Sequence, residues 1–262
     1  MDYQDLLQEH IKNGAEVTIS TMRVDWKEAS RFGILTADET GKINKFTEKP
    51  KNPDSNLASM GIYIFNTDLL IQSLIEDSQD DTSDHDFGKN IIPTLLSAKH
   101  KLYIYEFEGF WRDIGTISSY YETSMDLLEK NPKFNLSSKS SPIMSNSNIY
   151  PPTFIGANAE VDESIISNGT KILGTVKHSI ISNSAIVEEN ATIIDSILLP
   201  GAKVCSGATV QRAILGENSI VESNVTVGNC DPSTDITVLG NKCTASSVQH
   251  SDSQFLKVIL HL

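Results

Sequence analysis

Between Ile155 and Val227 an aliphatic residue returns mostly every five or six positions, and nothing else in this 262-residue chain restricts its fold so tightly. The series is Ile155, Val161, Ile166, Ile172, Val176, Ile181, Val187, Ile193, Leu199, Val204, Val210, Leu215, Val221 and Val227. Small or turn-forming residues fall between them, among them Gly156, Ala159, Gly174, Ala185, Ala191, Gly201, Ala202, Gly207, Ala208 and Ser219. A hexapeptide period of this kind fits a left-handed parallel β-helix: one aliphatic side chain per face fills the interior, and a small residue lets the chain turn each corner. Three faces per coil make this roughly four to five coils.

The chain before this repeat, over 1–130, follows a different grammar. Leu6, Leu7, His10 and Ile11 recur at helical spacing, with Gly14 placed to end the helix. The run 16–24 is β-branched and alternating, and Phe32–Ala37, the turn 38–42 and Ile43–Glu48 read as a hairpin. Ser59–Phe65 reads as a buried strand, followed by a helix carrying Leu69, Leu70, Leu74 and Ile75 on one face. An acidic stretch, a helix near 87–96, a strand over 102–107 and a helix from about 116 to 128 complete the series. Strands interleaved with helices indicate an α/β sheet. The expected organisation is therefore an α/β domain over 1–130, a Ser-, Pro- and Asn-rich linker over 131–152, the β-helix over 153–240, and an atypical tail over 241–262.

Charge and composition narrow the function classes. Lys and Arg number 21 against 34 Asp and Glu, a net charge of −13, so attraction to a nucleic-acid backbone is not expected. No run approaches the ~18 apolar residues of a membrane span. The opening MDYQDLLQEHIKNG lacks a basic n-region and an apolar core. Cys205, Cys230 and Cys243 are odd in number and form no CxxC pair, which argues against a disulfide framework or a zinc knuckle. A reduced, cytoplasmic, soluble protein is the expectation.

Polar residues where strands end are the candidates for chemistry, since α/β sheets place ligands there. Glu48-Lys49-Pro50 follows a strand, and Pro50 cannot continue the ladder, so a charged pair stands at the sheet edge. A lysine there suits a phosphate group and the neighbouring carboxylate suits sugar hydroxyls; an edge pair without a ligand is the other reading. Ser59 opens the next strand, and Gly33 and Gly61 would let a polar ligand approach backbone. Asp113, in the run Trp111–Thr116, is a hard-oxygen ligand for Mg2+ or one partner of an Asp–Arg pair, and Thr116 caps the helix after it. Asp86 reads as a helix cap ending a solvated loop. Positions 155–229 hold one histidine, His178, whereas an acyltransferase site on a β-helix would gather several.

Taken together, GAEVTISTMRVDWKEASRFGILTADETGKINKFTEKPKNP, SNLASMGIYIFNTDLL, SDHDFGKNIIP and GFWRDIGTISSYYETSMDLL resemble the bacterial glucose-1-phosphate adenylyltransferase (ADP-glucose pyrophosphorylase) family, in order and spacing, over about residues 1–240. That resemblance implies a Rossmann-like mixed sheet, present here in part, and a C-terminal β-helix. It implies joining of ATP and α-D-glucose 1-phosphate to give ADP-glucose and diphosphate for glycogen synthesis, with Mg2+ as cofactor. Lys49 would grip the sugar phosphate and Glu48 the sugar hydroxyls, Gly33 and Ser59 would complete the glucose 1-phosphate site, and Asp113 would hold Mg2+, with Lys49 and Asp113 the catalytic residues. The family is usually tetrameric, so a homo- or hetero-oligomer through the β-helix is implied. The family's glycine-rich ATP-phosphate loop has no counterpart: the fifteen glycines include no GG pair and no GxG. The expectation is a shortened chain with an open sheet edge and exposed apolar surface, and the alternative to an active enzyme is a non-catalytic sugar-phosphate-binding or regulatory subunit.

Overall fold

The computed structural model describes residues 1–134, 136 and 148–247, and the chain divides between Gly109 and Phe110 into two units. In the first, the central strand β1 (Val17–Arg23) carries Val17, Ile19 and Thr21 on one face and Thr18 and Ser20 on the other, all five buried. Because both faces of β1 are covered, its polar residues need partners. Thr18 meets the buried His10 at 2.8 Å, and the Thr21 hydroxyl donates to the Tyr105 carbonyl at 3.2 Å. His10 stands on helix α1 (Tyr3–Lys12) and reaches Asn66 with its other ring nitrogen, so it is a structural histidine.

Strands β2 (Gly33–Ala37), β3 (Ile43–Glu48), β4 (Leu57–Phe65) and β5 (Leu102–Glu106) join β1 in the order β3–β2–β4–β1–β5. Of these neighbours only β1 and β5 run parallel; the other pairs are antiparallel. The β2–β3 turn curls back so that the Ile104 N–H donates to the Gly41 carbonyl at 2.9 Å. Helix α2 (Thr67–Ser78), a single wide turn over Phe87–Ile91 and helix α3 (Ile92–Ser97) complete the unit. Its core gathers Val17, Ile19, Leu35, Phe46, Leu57, Ile92, Leu95 and Leu102. Exposed apolar surface is indeed present: Tyr3, Leu7 and Ile11 line one stripe of α1, and Ile71, Leu74 and Ile75 one stripe of α2.

The second unit is a parallel β-helix whose three sheets hold six, five and five strands. Aliphatic columns run through each: Ile172–Val187–Val204–Val221, Val161–Val176–Ile193–Val210–Val227, and Ile166–Ile181–Leu198–Leu215–Leu239. One expected interior residue is corrected. Leu198, fully buried, occupies the column, whereas Leu199 lies outside it against helix α4 (Ile117–Met125). The third face returns after five residues rather than six, and pairing with Ile181 and Leu215 selects Leu198 from the run Ile197-Leu198-Leu199. The coils are not all of one length: the step from Ile172 to Val187 is two positions shorter than the steps from Val187 to Val204 and from Val204 to Val221. The shortening falls at Gly174, where a Cβ would collide with the Ala191 and Glu188 carbonyls of the next coil. Beyond position 240 the coil continues, because Thr244–Ala245 pairs with Ile220–Val221. Much of the expected linker over 131–152, and the apolar run 255–262, lie outside the described residues.

The corners obey a second rule. Glu163, His178, Asp195 and Arg212 all have positive φ, one per coil at the same corner, and each is followed by a small residue. Serine there caps the coil above: the Ser179 N–H donates to Ser164 Oγ and the Ser196 N–H to Ser179 Oγ, both at 3.0 Å. The Ala213 N–H ends the ladder on Ser196 Oγ at 3.2 Å. Helix α4 lies against the third face of this coil. Met125 packs with Ile197 and Ile214, and the Tyr121 hydroxyl donates to the Asp195 carbonyl at 2.6 Å. Burial, with the Asp195 charge adding to it, pushes the Tyr121 phenol up to about 12, so it keeps that proton at neutral pH.

Ser179→Ala is expected to cost about 1–3 kcal/mol, because the buried Ser196 N–H loses its acceptor while almost no volume changes. Urea unfolding of the two proteins measures this, and an unchanged midpoint would mean that the ladder contributes nothing.

Candidate functional site

Four of the expected residues meet at one end of the first unit's sheet. Gly33 pairs across the ladder with Glu48, and Ile34 pairs with Ala58, so the next rung places Ser59 on the other side of Gly33. Glu48, Gly33 and Ser59 therefore form a row across three strands. Glycine is required in the middle: a Cβ there would stand 2.5 Å from the Phe46 ring and 2.8 Å from Glu48 Oε2. Ser59 is buried, and its hydroxyl lies 3.4 Å from the Tyr63 hydroxyl on the same strand. Between them β4 bulges against β1: Thr21 pairs with Ser59 and Ile19 with Tyr63, and Gly61 takes φ +72° to accommodate the extra residues.

Lys49 leaves the row with φ +44°, a left-handed conformation that a non-glycine residue before proline adopts only under strain. Its N–H donates to the Phe32 carbonyl at 3.1 Å, which fixes the turn out of the sheet. The Lys49 side chain is 67% exposed, and its ammonium lies 3.5 Å from Glu48 Oε1, whose own side chain is 21% exposed. An exposed cation thus stands beside a largely covered carboxylate, as phosphate and hydroxyl recognition would use them.

The structure adds residues that spacing alone did not assign. The turn Phe87–Ile91 closes over the row, and a Cβ on Gly88 would come within 2.5 Å of Glu48 Oε2. The Glu48 carboxylate is thus flanked by two glycines, Gly33 and Gly88. Asp86 caps this turn as expected, accepting the Gly88 and Lys89 N–H groups at 2.8 and 2.9 Å. Phe87 stacks on Tyr63 with ring centroids 5.8 Å apart. Burial raises the Tyr63 phenol, and the Glu48 and Asp86 charges add to the effect, so Tyr63 stays a neutral donor. The sequence signal for Tyr63 was its place four positions after Ser59 on one strand.

The loop leading into this turn is clasped by Asp77, which accepts from Ser83 at 2.6 Å and meets His85 Nδ1 at 2.7 Å. The Ser83 hydrogen bond and then His85 hold the Asp77 carboxyl below the usual range.

Asp113 belongs to the second unit. Its Oδ1 accepts the Gly115 N–H at 3.1 Å. Among the described residues no group of three or more His, Cys, Asp or Glu could hold a metal. Mg2+ typically takes one or two carboxylates plus substrate phosphates, of which Asp113 would supply one carboxylate. Two hollows of about 320 and 340 Å³ open elsewhere, one along α2 and one on the coil beside Lys171 and Lys203.

Residues 1–130 match the family model described as nucleotidyl transferase, and residues 151–248 match that of a GlmU-like, C-terminal hexapeptide domain. Over 245 residues, 92% of this chain, it is 44% identical to the glucose-1-phosphate adenylyltransferase of Desulfitobacterium hafniense. The chain belongs to the glucose-1-phosphate adenylyltransferase family. It is 43% identical to the Acetivibrio thermocellus adenylyltransferase over 228 residues and 44% identical to that of Bacillus cereus over 227, each 87% of this chain. It spans 62%, 54% and 60% of the length of these three relatives. The nucleotidyl transferase match to 130 passes the packing division at Gly109–Phe110, so residues 110–130 belong to the first domain by sequence and to the second unit by packing. No helix among the described residues is long and apolar enough to cross a membrane.

The strain at Lys49 and the clasp at Asp77 are both open to measurement. Lys49→Gly should be more stable than Lys49→Ala by about 1 kcal/mol, the cost of holding a Cβ in the left-handed region. Equal thermal unfolding of the two would show an unstrained backbone. Because its folded pKa is lowered, Asp77 contributes stability above its unfolded pKa and loses it as pH falls through the folded one. Asp77→Asn should therefore flatten the acid side of the melting-temperature profile, and a parallel profile would remove Asp77 from the linkage.

Proposed function

We propose that this chain supplies the sugar-phosphate side of an adenylyl transfer, binding α-D-glucose 1-phosphate with Lys49 on the phosphate and Glu48 on ring hydroxyls. The single observation that carries this reading is the row Glu48–Gly33–Ser59 at the sheet end, with the Glu48 carboxylate set between Gly33 and Gly88. Such a carboxylate has little freedom to turn away, because a Cβ at either glycine would already collide with it. Ser59 and the neutral Tyr63 supply hydroxyls beside it, and Lys49 stands in front as a point charge.

In the reaction of the named relatives' kind, a phosphate oxygen of glucose 1-phosphate attacks the α-phosphorus of ATP, the bond to the β,γ-diphosphate breaks, and ADP-glucose and diphosphate result. Catalysis of this class is mostly positioning and charge neutralisation. Mg2+, when bound, spreads the charge of the phosphates, and Asp113 is the residue that would hold it. Lys49 neutralises the attacking phosphate and Glu48 fixes the sugar that carries it. We place the protein in the cytoplasm, as an oligomer formed through the β-helix, because sugar-nucleotide synthesis and the parallel coil fit that setting.

A second reading, a sugar-phosphate-binding or regulatory subunit, is favoured by one observation: these 262 residues hold no GG or GxG run to cradle the phosphates of ATP. One experiment tests both. Glucose 1-phosphate should raise the melting temperature of the chain, and Lys49→Ala or Glu48→Gln should weaken its binding at least tenfold, the typical worth of a charge-assisted bond. Diphosphate release with ATP and Mg2+ then separates the enzyme from the binding subunit. No stabilisation by glucose 1-phosphate would overturn the site assignment.

A further inference from the structure

The Glu48 carboxylate is aimed by packing rather than by hydrogen bonds. Its one ion pair among the described residues is the 3.5 Å approach of Lys49 to Oε1. Oε2 accepts no hydrogen bond from a described residue, yet it lies against two glycines. A Cβ on Gly33 would stand 2.8 Å from it, and one on Gly88 2.5 Å. An acceptor so enclosed calls for donors, which a polyhydroxy ligand brings.

Gly88 is buried, and the turn that carries it is fastened on both sides. Before it, Asp86 Oδ1 accepts the Gly88 and Lys89 N–H groups, and the Asp86 carbonyl accepts those of Asn90 and Ile91 at 2.9 and 3.3 Å. The Asn90 side chain accepts the Asp86 N–H in return, at 3.2 Å. After it, the buried Ile91 and Ile92 anchor the chain in the core with Phe46 and Leu95. The backbone at Gly88 is therefore a fixed surface, and the Glu48 side chain is the part that can move. Gly88 has no left-handed φ, so an alanine there meets no backbone strain. What its methyl meets first is the carboxylate, Oε2 at 2.5 Å and Cδ at 3.1 Å, ahead of Asp86 Oδ1 at 3.3 Å. At Gly33 the same addition also strikes the Phe46 ring in the core, so glycine there serves packing as well.

We infer that Gly88 is a positioning residue for Glu48: its bare backbone is the wall that keeps the carboxylate turned toward the sugar. The inference rests on the proposed role of Glu48 toward ring hydroxyls and deepens it. A methyl group at position 88 swings the carboxylate aside at small cost to the fold, because the atoms that yield are the end of a flexible side chain. Binding suffers more than stability, because a hydrogen bond weakens steeply once it is misaligned.

A double-variant cycle on the full chain tests this, with α-D-glucose 1-phosphate titrated calorimetrically and the melting temperature of each unliganded variant measured beside it. Gly88→Ala should weaken binding about tenfold, the worth of one hydrogen bond to a charged group, while the melting temperature stays put. Inorganic phosphate, which has no ring hydroxyls, should bind Gly88→Ala and the parent equally. Glu48→Ala should weaken glucose 1-phosphate binding at least as much as Gly88→Ala does. Adding Gly88→Ala to Glu48→Ala should then cost less than a further factor of about two, because the methyl has no carboxylate left to displace. A loss from Gly88→Ala that is as large without the carboxylate as with it would overturn the positioning role, and so would a parallel loss of phosphate affinity. Unchanged binding in Gly88→Ala, with Glu48→Ala still weakened, would overturn that role alone. Binding that survives Glu48→Ala would overturn the reading of Glu48 itself.

Discussion

Parallel register between successive coils is the constraint on which the second unit depends. Each backbone N–H on a face must find the carbonyl one coil away, so the three aliphatic columns stay aligned only while every coil is closed to the same pitch. The chain keeps that closure with varied lengths. The short coil from Ile172 to Val187 stacks in register with its longer neighbours because it loses corner positions rather than strand positions, with Gly174 giving the space. Small residues on the inner side of the corners, such as the fully buried Ala185, Ala191, Ala202 and Ala208, let the strands approach closely enough to bond. The hydroxyl ladder Ser164–Ser179–Ser196 meets the amides that one corner would leave unpaired.

The first unit rests on a related constraint at smaller scale. β1 is covered on both faces and bonded on both edges, so its three polar side chains are drawn into the protein and satisfied there. That central strand sets the position of β4, and β4 sets β2, whose Gly33 stands between Glu48 and Ser59. The candidate site is thus a consequence of strand order: three residues distant in sequence come together because β2 begins and β3 ends on the rung that Ser59 of β4 shares.

Much of this was legible in the sequence, and the exceptions have physical causes. The coil could be read from all but one of its interior marks, because an aliphatic residue returning mostly every five or six positions has few other uses. Leu199 misled because three consecutive aliphatic residues leave the register to be chosen by partners in the neighbouring coils. Glu48, Lys49, Gly33 and Ser59 could be found from strand ends and the break at Pro50. Gly88 could not be assigned to that carboxylate, because its role depends on a turn folding back over a sheet whose strands lie far from it in sequence. Nor could the partner of α4: the apolar face of Ile117, Tyr121 and Met125 shows that a helix needs covering but not by what, and here the coil covers it.

One interruption of the coil has a wider meaning. After Thr226–Gly228 the chain leaves for residues 229–236, at a corner that the preceding coils turn with Asp195 or Arg212, and then resumes in register at Thr237–Leu239. Arg212 closes the base of the excursion by donating to the Asp231 and Thr234 carbonyls. In a solenoid each coil contacts only its neighbours, so an insertion at a corner disturbs one interface and leaves the others intact. The corner therefore acts as a socket: sequence can be added there, lengthened or exchanged over evolutionary time, while the aliphatic columns beneath it carry on undisturbed.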